Sequence, residues 1–520
     1  MGHECRNARR LLVAYIVVNA VLYSILLPLW EGFDEPFHFA SVQHLANGQG
    51  WPDPRTDRVS KEVAASLMLA PASHVVQQNI PQVTTYARYF AWPGRQRENV
   101  QRQIREIPWQ TRWQPADILN YEAQHPPLAY LLLALPERLL ARVPIPYRVA
   151  FLRVIAAVAG ALLLGLAAER LFAQLGIGDP YKAIALFCLF SSQMTWATLA
   201  HVANDWLAVP LAVWTLVALN RYLARPSPRA AAVAAGILAA GLLTKAYFLF
   251  FLPLCLGAWV WRRQWRALAA ALCVLCALAG PWYVRNLVRY GVLSGTQEAR
   301  AGVGFAAVLQ AAPGLHWPAV IASSIRSALW TGNNSFLAFS AGTLDLMIGV
   351  GLAALLLWAV SRHSTAEWTA AWYCGLFALA IGYAATVSSL ATRSGLAFAE
   401  PWYAQVLSAP LLGLMLLGAC RKRKVGRFAA ALFVLLFGYV LAATYAVKLI
   451  PLYGGYEARI SPRVLAGLYT RQLGTLTANL ESVTLVPAAL VYALAAVVIV
   501  LVVAQQFVIL RALRKEQDAG

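Results

Sequence analysis

The feature that most constrains this chain is a run of residues that water has no part in. Leu11 to Trp30 carries no charge and follows directly on Arg6, Arg9 and Arg10. Further stretches of roughly 20 nearly uncharged residues recur down the chain, each enough to cross a hydrocarbon core about 30 Å thick. Lipid cannot satisfy open backbone groups, so such stretches must close their own hydrogen bonds as helices. A chain that is 60% apolar and only 13% charged is not an ordinary soluble protein. The expectation is an all-α polytopic membrane protein of about twelve spans, at 11–30, 149–170, 181–200, 206–222, 230–245, 247–262, 267–284, 344–361, 367–388, 403–419, 428–446 and 484–506. The first run exceeds the usual signal-peptide length and no small-x-small cleavage site follows it, so it reads as an uncleaved span.

The formal charge of +20 has a membrane explanation. Basic residues gather in cytoplasmic loops. The N-terminal arginines, Arg170 with Lys182, Arg221, Arg225 and Arg229, Arg262, Arg263 and Arg266, Arg362, the RKRKVGR run from Arg421 and the C-terminal Arg511, Arg514 and Lys515 all sort to one side. The opposite short loops hold little beyond Lys245 and Arg393. This asymmetry places both termini in the cytoplasm. No aromatic-and-basic module for nucleic acid is present, so none is expected as a partner. The seven cysteines lie in or beside spans or at the N-terminus, so no disulfide framework is expected.

Three outer segments follow from this topology: 31–148, 285–341 and 448–482. The first contains helix-like pieces near Pro36–Ala46 and Gln101–Glu106. It also contains HPPLAYLLLALPERLLAR from His125, whose apolar core ends at Leu135 and is too short to cross. That segment is expected as a helix in the outer interface.

The chemistry gathers on the same face. WEGFDEPFHFASVQHLANGQGWPDP, from Trp30, puts Asp34, Glu35 and His38 at the end of the first span. Asp205 sits in HVANDW, the turn between the third and fourth spans. An acid at lipid depth is costly unless paired or wetted, and is a site hypothesis by default. The competing reading for Asp205 is a helix cap. Around them are His125 before Pro126-Pro127, Lys245 in LLTKAYF, Arg285 in GPWYVRN, and Arg393 with Glu400 nearby. Each cation alone reads equally as a snorkelling interface residue. Together they make a pocket for an anionic lipid headgroup, with cations on the phosphate. Group transfer from a lipid phosphate fits: a carboxylate takes the acceptor's proton, and cations stabilise the departing phosphate.

FDEPFHF, QHPPLAYLLLAL, the ND of HVANDW and PWYVRNLVRYG, in this order and spacing over about residues 10 to 300, resemble the GT-C superfamily of glycosyltransferases. The likeness is to the family-39-like branch, related to protein O-mannosyltransferases and the aminoarabinose transferases of lipid A. The resemblance implies a GT-C-like helical bundle, with 1–300 as its characteristic module and 301–520 as a variable C-terminal one. It implies a polyprenyl-phosphate sugar donor, a lipid, glycan or protein hydroxyl as acceptor, and transfer on the periplasmic face of a bacterial inner membrane, commonly with inversion. It assigns catalysis to Asp34, with Glu35 beside it, a site acid to Asp205 and a donor-phosphate contact to His125; position on the same face adds His38, Lys245, Arg285, Arg393 and Glu400 as candidate substrate contacts. The cofactor left open is a divalent metal ion, with Asp34 and Asp205 as its candidate ligands. The spaced acid pair of the oligosaccharyltransferase branch and its late W-W-D-type motif are missing. A lipid-linked-glycan transporter is the alternative, which predicts mid-depth ionisable groups and related halves. A non-catalytic scaffold leaves the Asp34, Asp205 and His125 set without a use.

Overall fold

The computed structural model describes residues 2–391, 397–456 and 461–518. The chain is an all-α polytopic membrane protein. Among the described residues, eight helices are long and apolar enough to cross a membrane, or up to ten when two bent pairs are each taken as one span. Those eight fall on the expected spans at 11–30, 149–170, 206–222, 344–361, 367–388, 403–419, 428–446 and 484–506. The other four expected spans are shorter or broken. Residues 181–200 divide into Tyr181–Ser191 and Gln193–Leu199. Pro228–Leu242 has 15 residues, which at 1.5 Å per residue reaches only about 22 Å. Ala246–Trp261 is similarly short, and Trp265–Leu278 bends by 55° into Gly280–Tyr290. A bent pair not expected as a span, Phe305–Gly314 with Trp317–Leu329, turns by 104° within the second outer segment.

One hydrophobic core runs from Ala8 to Leu513, and the first helix lies along the last, Ala488–Asp518. Both expected modules contribute to it. Large apolar side chains on the outside of these helices are exposed, among them Leu166, Leu356, Val500 and Phe507. In a lipid solvent that exposure carries no penalty.

The first outer segment folds into short helices around a two-stranded antiparallel sheet, Arg58–Ser60 with Pro115–Leu119. Glu35–Ala46 and Gly94–Arg105 form the two helices expected there. The segment after His125 is the 12-residue helix Leu128–Leu139. It buries Ala129, Tyr130, Leu133 and Glu137 and exposes Leu131, Leu132, Leu135 and Leu139, a one-sided apolar surface suited to an interfacial position.

Two buried ionic knots tie this outer layer to the Ile145–Gln174 span. Arg148 pairs with Glu62 and Glu137, and Arg112 also reaches Glu137 at 3.2 Å. Arg153 grips Glu35, with Nε 2.7 Å from Oε1, while donating to the carbonyls of Leu27 at 2.7 Å and Pro28 at 2.9 Å. Removing one partner of a buried pair leaves the other charge without compensation, at a cost of roughly 3–5 kcal/mol. Arg153→Met is therefore expected to lower the thermal midpoint of the detergent-purified protein severely. Adding Glu35→Gln to that background recovers much of the loss; a double variant no more stable than the single one contradicts the pairing.

Candidate active site

The loop after the first span is shaped by one tight approach. A Cβ on Gly32 would come within 2.5 Å of the His201 Cβ, so only glycine lets this loop lie against the 201–204 turn. Glu35 fastens the two together by accepting from the Val202 N–H at 3.0 Å. Asp34, in the left-handed region at φ 52°, is thereby turned the other way.

Asp34 faces a cavity of about 830 Å³ whose walls also include Tyr121, Gln297, Asn334, Glu400 and Trp402. The size is that of a small-molecule site. The Tyr121 hydroxyl donates to Asp34 Oδ1 at 2.7 Å. Burial pushes the Asp34 carboxyl above the usual carboxylate range; the charge of Glu122 adds to this, and the Tyr121 bond and the charges of Lys245 and His125 oppose it. Glu400, across the same cavity, is pushed up to about 8 by burial, with the Asp34 charge adding.

Behind Asp34 lies a histidine–carboxylate cluster. Glu122 Oε2 is 2.7 Å from His125 Nε2 and 3.5 Å from His38 Nδ1. The two imidazoles stack with centroids 5.9 Å apart, and His38 Nδ1 shares a 2.7 Å hydrogen bond with the Tyr130 hydroxyl. Burial pushes His38 down to about 3, against the charge of Glu122, so its imidazole is neutral. His125 Nδ1 is buried with no protein partner. Lys245 donates to both oxygens of Asp205 at 2.7 Å, and its ammonium sits 5.1 Å from the Tyr403 ring centre and 5.4 Å from that of Tyr247.

Asp34 and Glu400 are on the cavity wall; His38, His125 and the Lys245–Asp205 pair are off it, and the charges of Lys245 and His125 reach Asp34 from there. Two residues are placed elsewhere. Glu35 is not on the cavity wall: its carboxylate is occupied by Arg153 and Val202, so it holds the loop. Arg285 belongs to a separate outer cluster, where it donates to the Pro52 carbonyl at 2.7 Å and stacks 4.9 Å from the Trp282 ring. Arg393 lies outside the described residues. Glu122 adds a carboxylate to the expected Asp34, Asp205 and Glu400, and it faces His125 as Asp205 faces Lys245. The missed residues are Glu122 and Tyr121. Their trace in sequence is NYEAQHPP, which sets Glu122 three residues before His125.

Asp34 and Asp205 do not present themselves as a metal-ligand pair, because both oxygens of Asp205 are taken by Lys245. Among the described residues no group of three or more His, Cys, Asp or Glu side chains is spaced to hold a metal ion.

Next to the polar cavity is an apolar one of about 1010 Å³, walled by Trp317, Ile321, Leu352, Leu355, Ile381 and Leu411. Ser324 lines both.

No protein-family model matches the chain, and no curated protein sequence matches it. Among solved structures, the chain is similar to the crystal structure of ArnT from Cupriavidus metallidurans bound to undecaprenyl phosphate. The likeness has 13% sequence identity and a TM-score of 0.49, and covers 96% of this chain and 76% of that one.

The far wall of the polar cavity is the loop 331–336. Glu31 holds it: Oε1 accepts from the Ser335 N–H at 3.0 Å and from the Ser335 hydroxyl, and its carbonyl accepts from the Asn334 N–H at 3.0 Å. The Tyr86 hydroxyl donates to Oε2 at 3.0 Å. Glu31→Ala removes the carboxylate acceptors of Ser335 and Tyr86 and leaves the backbone carbonyl bond to Asn334. Amide hydrogen exchange in 331–336 is expected to speed up by about tenfold or more, with exchange in the Ile145–Gln174 span unchanged; unaltered protection of the loop would show that Glu31 does not hold it.

Proposed function

We propose that this protein is a GT-C-type glycosyltransferase that moves a sugar from a polyprenyl-phosphate donor to an acceptor hydroxyl on the periplasmic face of a bacterial inner membrane. The observation that carries the reading is the placement of Asp34. It is a carboxylate of raised proton affinity on a ligand-sized cavity, within the electrostatic reach of a lysine and a histidine and beside an apolar groove.

In this reading the donor's prenyl chain lies in the groove among Trp317, Leu352 and Leu411, and its phosphate passes Ser324 into the polar cavity. Asp34 removes the proton from the acceptor hydroxyl as its oxygen attacks the anomeric carbon. The bond from that carbon to the phosphate oxygen breaks, and polyprenyl phosphate leaves with the electron pair. Attack opposite the departing phosphate inverts the anomeric carbon. Lys245 and His125, behind the cavity wall but within electrostatic reach of Asp34, stabilise the phosphate as its charge grows. Tyr121 orients the base, and Glu122 keeps it from being too weak by raising its proton affinity. No step is assigned to a metal ion, since the donor set does not fit one.

The test uses the full chain in nanodiscs with a panel of synthetic polyprenyl-phosphate hexoses and pentoses, and bacterial envelope lipid extract as acceptor. Asp34→Asn is expected to reduce transfer by about 10²–10⁴-fold, with the thermal midpoint retained; transfer at the normal rate removes Asp34 from catalysis. The pH dependence carries a second expectation. A base must be deprotonated, so the rate should rise with pH through the raised Asp34 value, well above the ordinary value near about 3.9. Glu122→Gln removes the adjacent negative charge and should move that limb to lower pH. A limb that stays in place, or moves up, contradicts the coupling of Glu122 to Asp34.

A further inference from the structure

The wall opposite Asp34 has a feature the transfer step does not use. Phe336 lies at φ 47° in the left-handed region, where a bulky side chain is an outlier and the backbone is strained. The loop enforces it. The Phe336 N–H donates to the Asn333 carbonyl at 2.9 Å, and the Gly332 N–H to the Leu337 carbonyl at 2.9 Å. A Cβ on Gly332 would meet the Leu337 Cβ at 2.5 Å, so the two strands of this turn approach as closely as they do only because residue 332 is glycine. Strain of this kind persists where surrounding structure over-determines it.

What the strain achieves is the position of one ring. Phe336 stays 40% exposed, although it is large and apolar and could be buried, and it lines the cavity together with Trp402. Phe33 backs both: it stacks on Trp402 with centroids 4.4 Å apart and lies 5.7 Å from Phe336. Phe33 is buried and Trp402 nearly so, with 8% of its surface exposed, so Phe336 is the open ring and the other two brace it. The rest of the wall is mixed: Ser327, Thr331, Asn334, Gln297, Asp34 and Glu400 supply donors and acceptors, and Leu67, Val75, Val76 and Ile80 add apolar surface. Aromatic faces and polar groups on one wall complement a molecule with C–H bonds on one side and hydroxyls around its edge.

We propose that Phe336, braced by Phe33 and Trp402, forms a stacking platform for a pyranose ring, whose apolar face lies on it while its hydroxyls turn to Asp34, Glu400 and Asn334. The inference rests on the glycosyltransferase reading and deepens it by naming the subsite that recognises sugar. The ring can belong to the donor or to a glycan acceptor; the chemistry of recognition is the same.

Phe336→Gly is the informative variant, because glycine adopts φ 47° without strain and leaves the loop its shape. In one arm, nanodisc protein is titrated with a polyprenyl-phosphate hexose and with polyprenyl phosphate alone. A donor ring on the platform predicts about three- to tenfold weaker binding of the sugar-bearing lipid, with the bare phosphate lipid unaffected. In the other arm, turnover is measured: an acceptor ring predicts a similar rise in the acceptor KM with the donor KM unchanged. Phe336→Tyr, which keeps the ring face, should restore wild-type behaviour in whichever arm responds. A Phe336→Gly protein that matches wild type in both arms overturns the platform while leaving the transferase intact. Equal weakening toward both lipids also overturns it, since that is the signature of a structural role. Wild-type protein that neither binds nor transfers any donor in the panel sinks the glycosyltransferase reading, and the platform with it.

Discussion

The site depends on a buried ion pair. Arg153 projects from the first turns of the second long span and closes on Glu35, and in doing so also satisfies two carbonyls at the end of the first helix. A guanidinium has donors enough to do both, in a fixed fork that a lysine lacks. Glu35 in turn takes the N–H of Val202, so three separate parts of the chain meet at one carboxylate. The cost of burying this charge is met only because nearly every polar atom in the knot has a partner. Once Glu35 is held inward, its neighbour Asp34 must point outward, and the left-handed backbone at Asp34 is the geometric record of that division of labour.

The second constraint is electrostatic. Four carboxylates, two imidazoles and one ammonium share a region with little water. Lys245 is committed to Asp205 and His125 to Glu122, so the cations do not sit as an open positive patch. Among the described residues, Asp34 and Glu400 are the carboxylates of this region without an ion-pair partner, and burial raises the proton affinity of both. A base of this kind is stronger than an exposed aspartate, because its charged form is poorly solvated until a substrate arrives. The pairing of each cation with an acid also keeps the empty site from carrying unpaired positive charge at the lipid boundary.

Much of the membrane architecture was legible from composition. A span must be apolar along its whole length, so Ile145–Gln174 or Ala488–Asp518 announce themselves whatever they touch. The broken elements were less legible. Pro228–Leu242 and Trp265–Leu278 have the hydropathy of a span, and their end-points depend on neighbours that turn the chain at Lys245 and Ala279. Within the site, Asp34, His125 and Asp205 stood out because ionisable residues are rare beside apolar runs. Glu122 and Tyr121 did not, since in a polar outer loop an acid and a tyrosine are unremarkable. Arg153 was hidden inside a span, and Arg285 looked like a site residue by its place in a motif while its partners are Pro52 and Trp282.

The sequence by itself determined the solvent: long uncharged helices, basic loops on one side, and acids gathered at the end of the first span. These are properties of local composition, and they need no contact to be read. Which of two adjacent acids would face the cavity was decided only in three dimensions. So was the fact that the loop 331–336, some 300 residues away, would supply the opposite wall. Both outcomes turn on the direction of side chains joined across long separations, Glu35 to Arg153 and Glu31 to Ser335, and no local pattern encodes the far partner of a hydrogen bond.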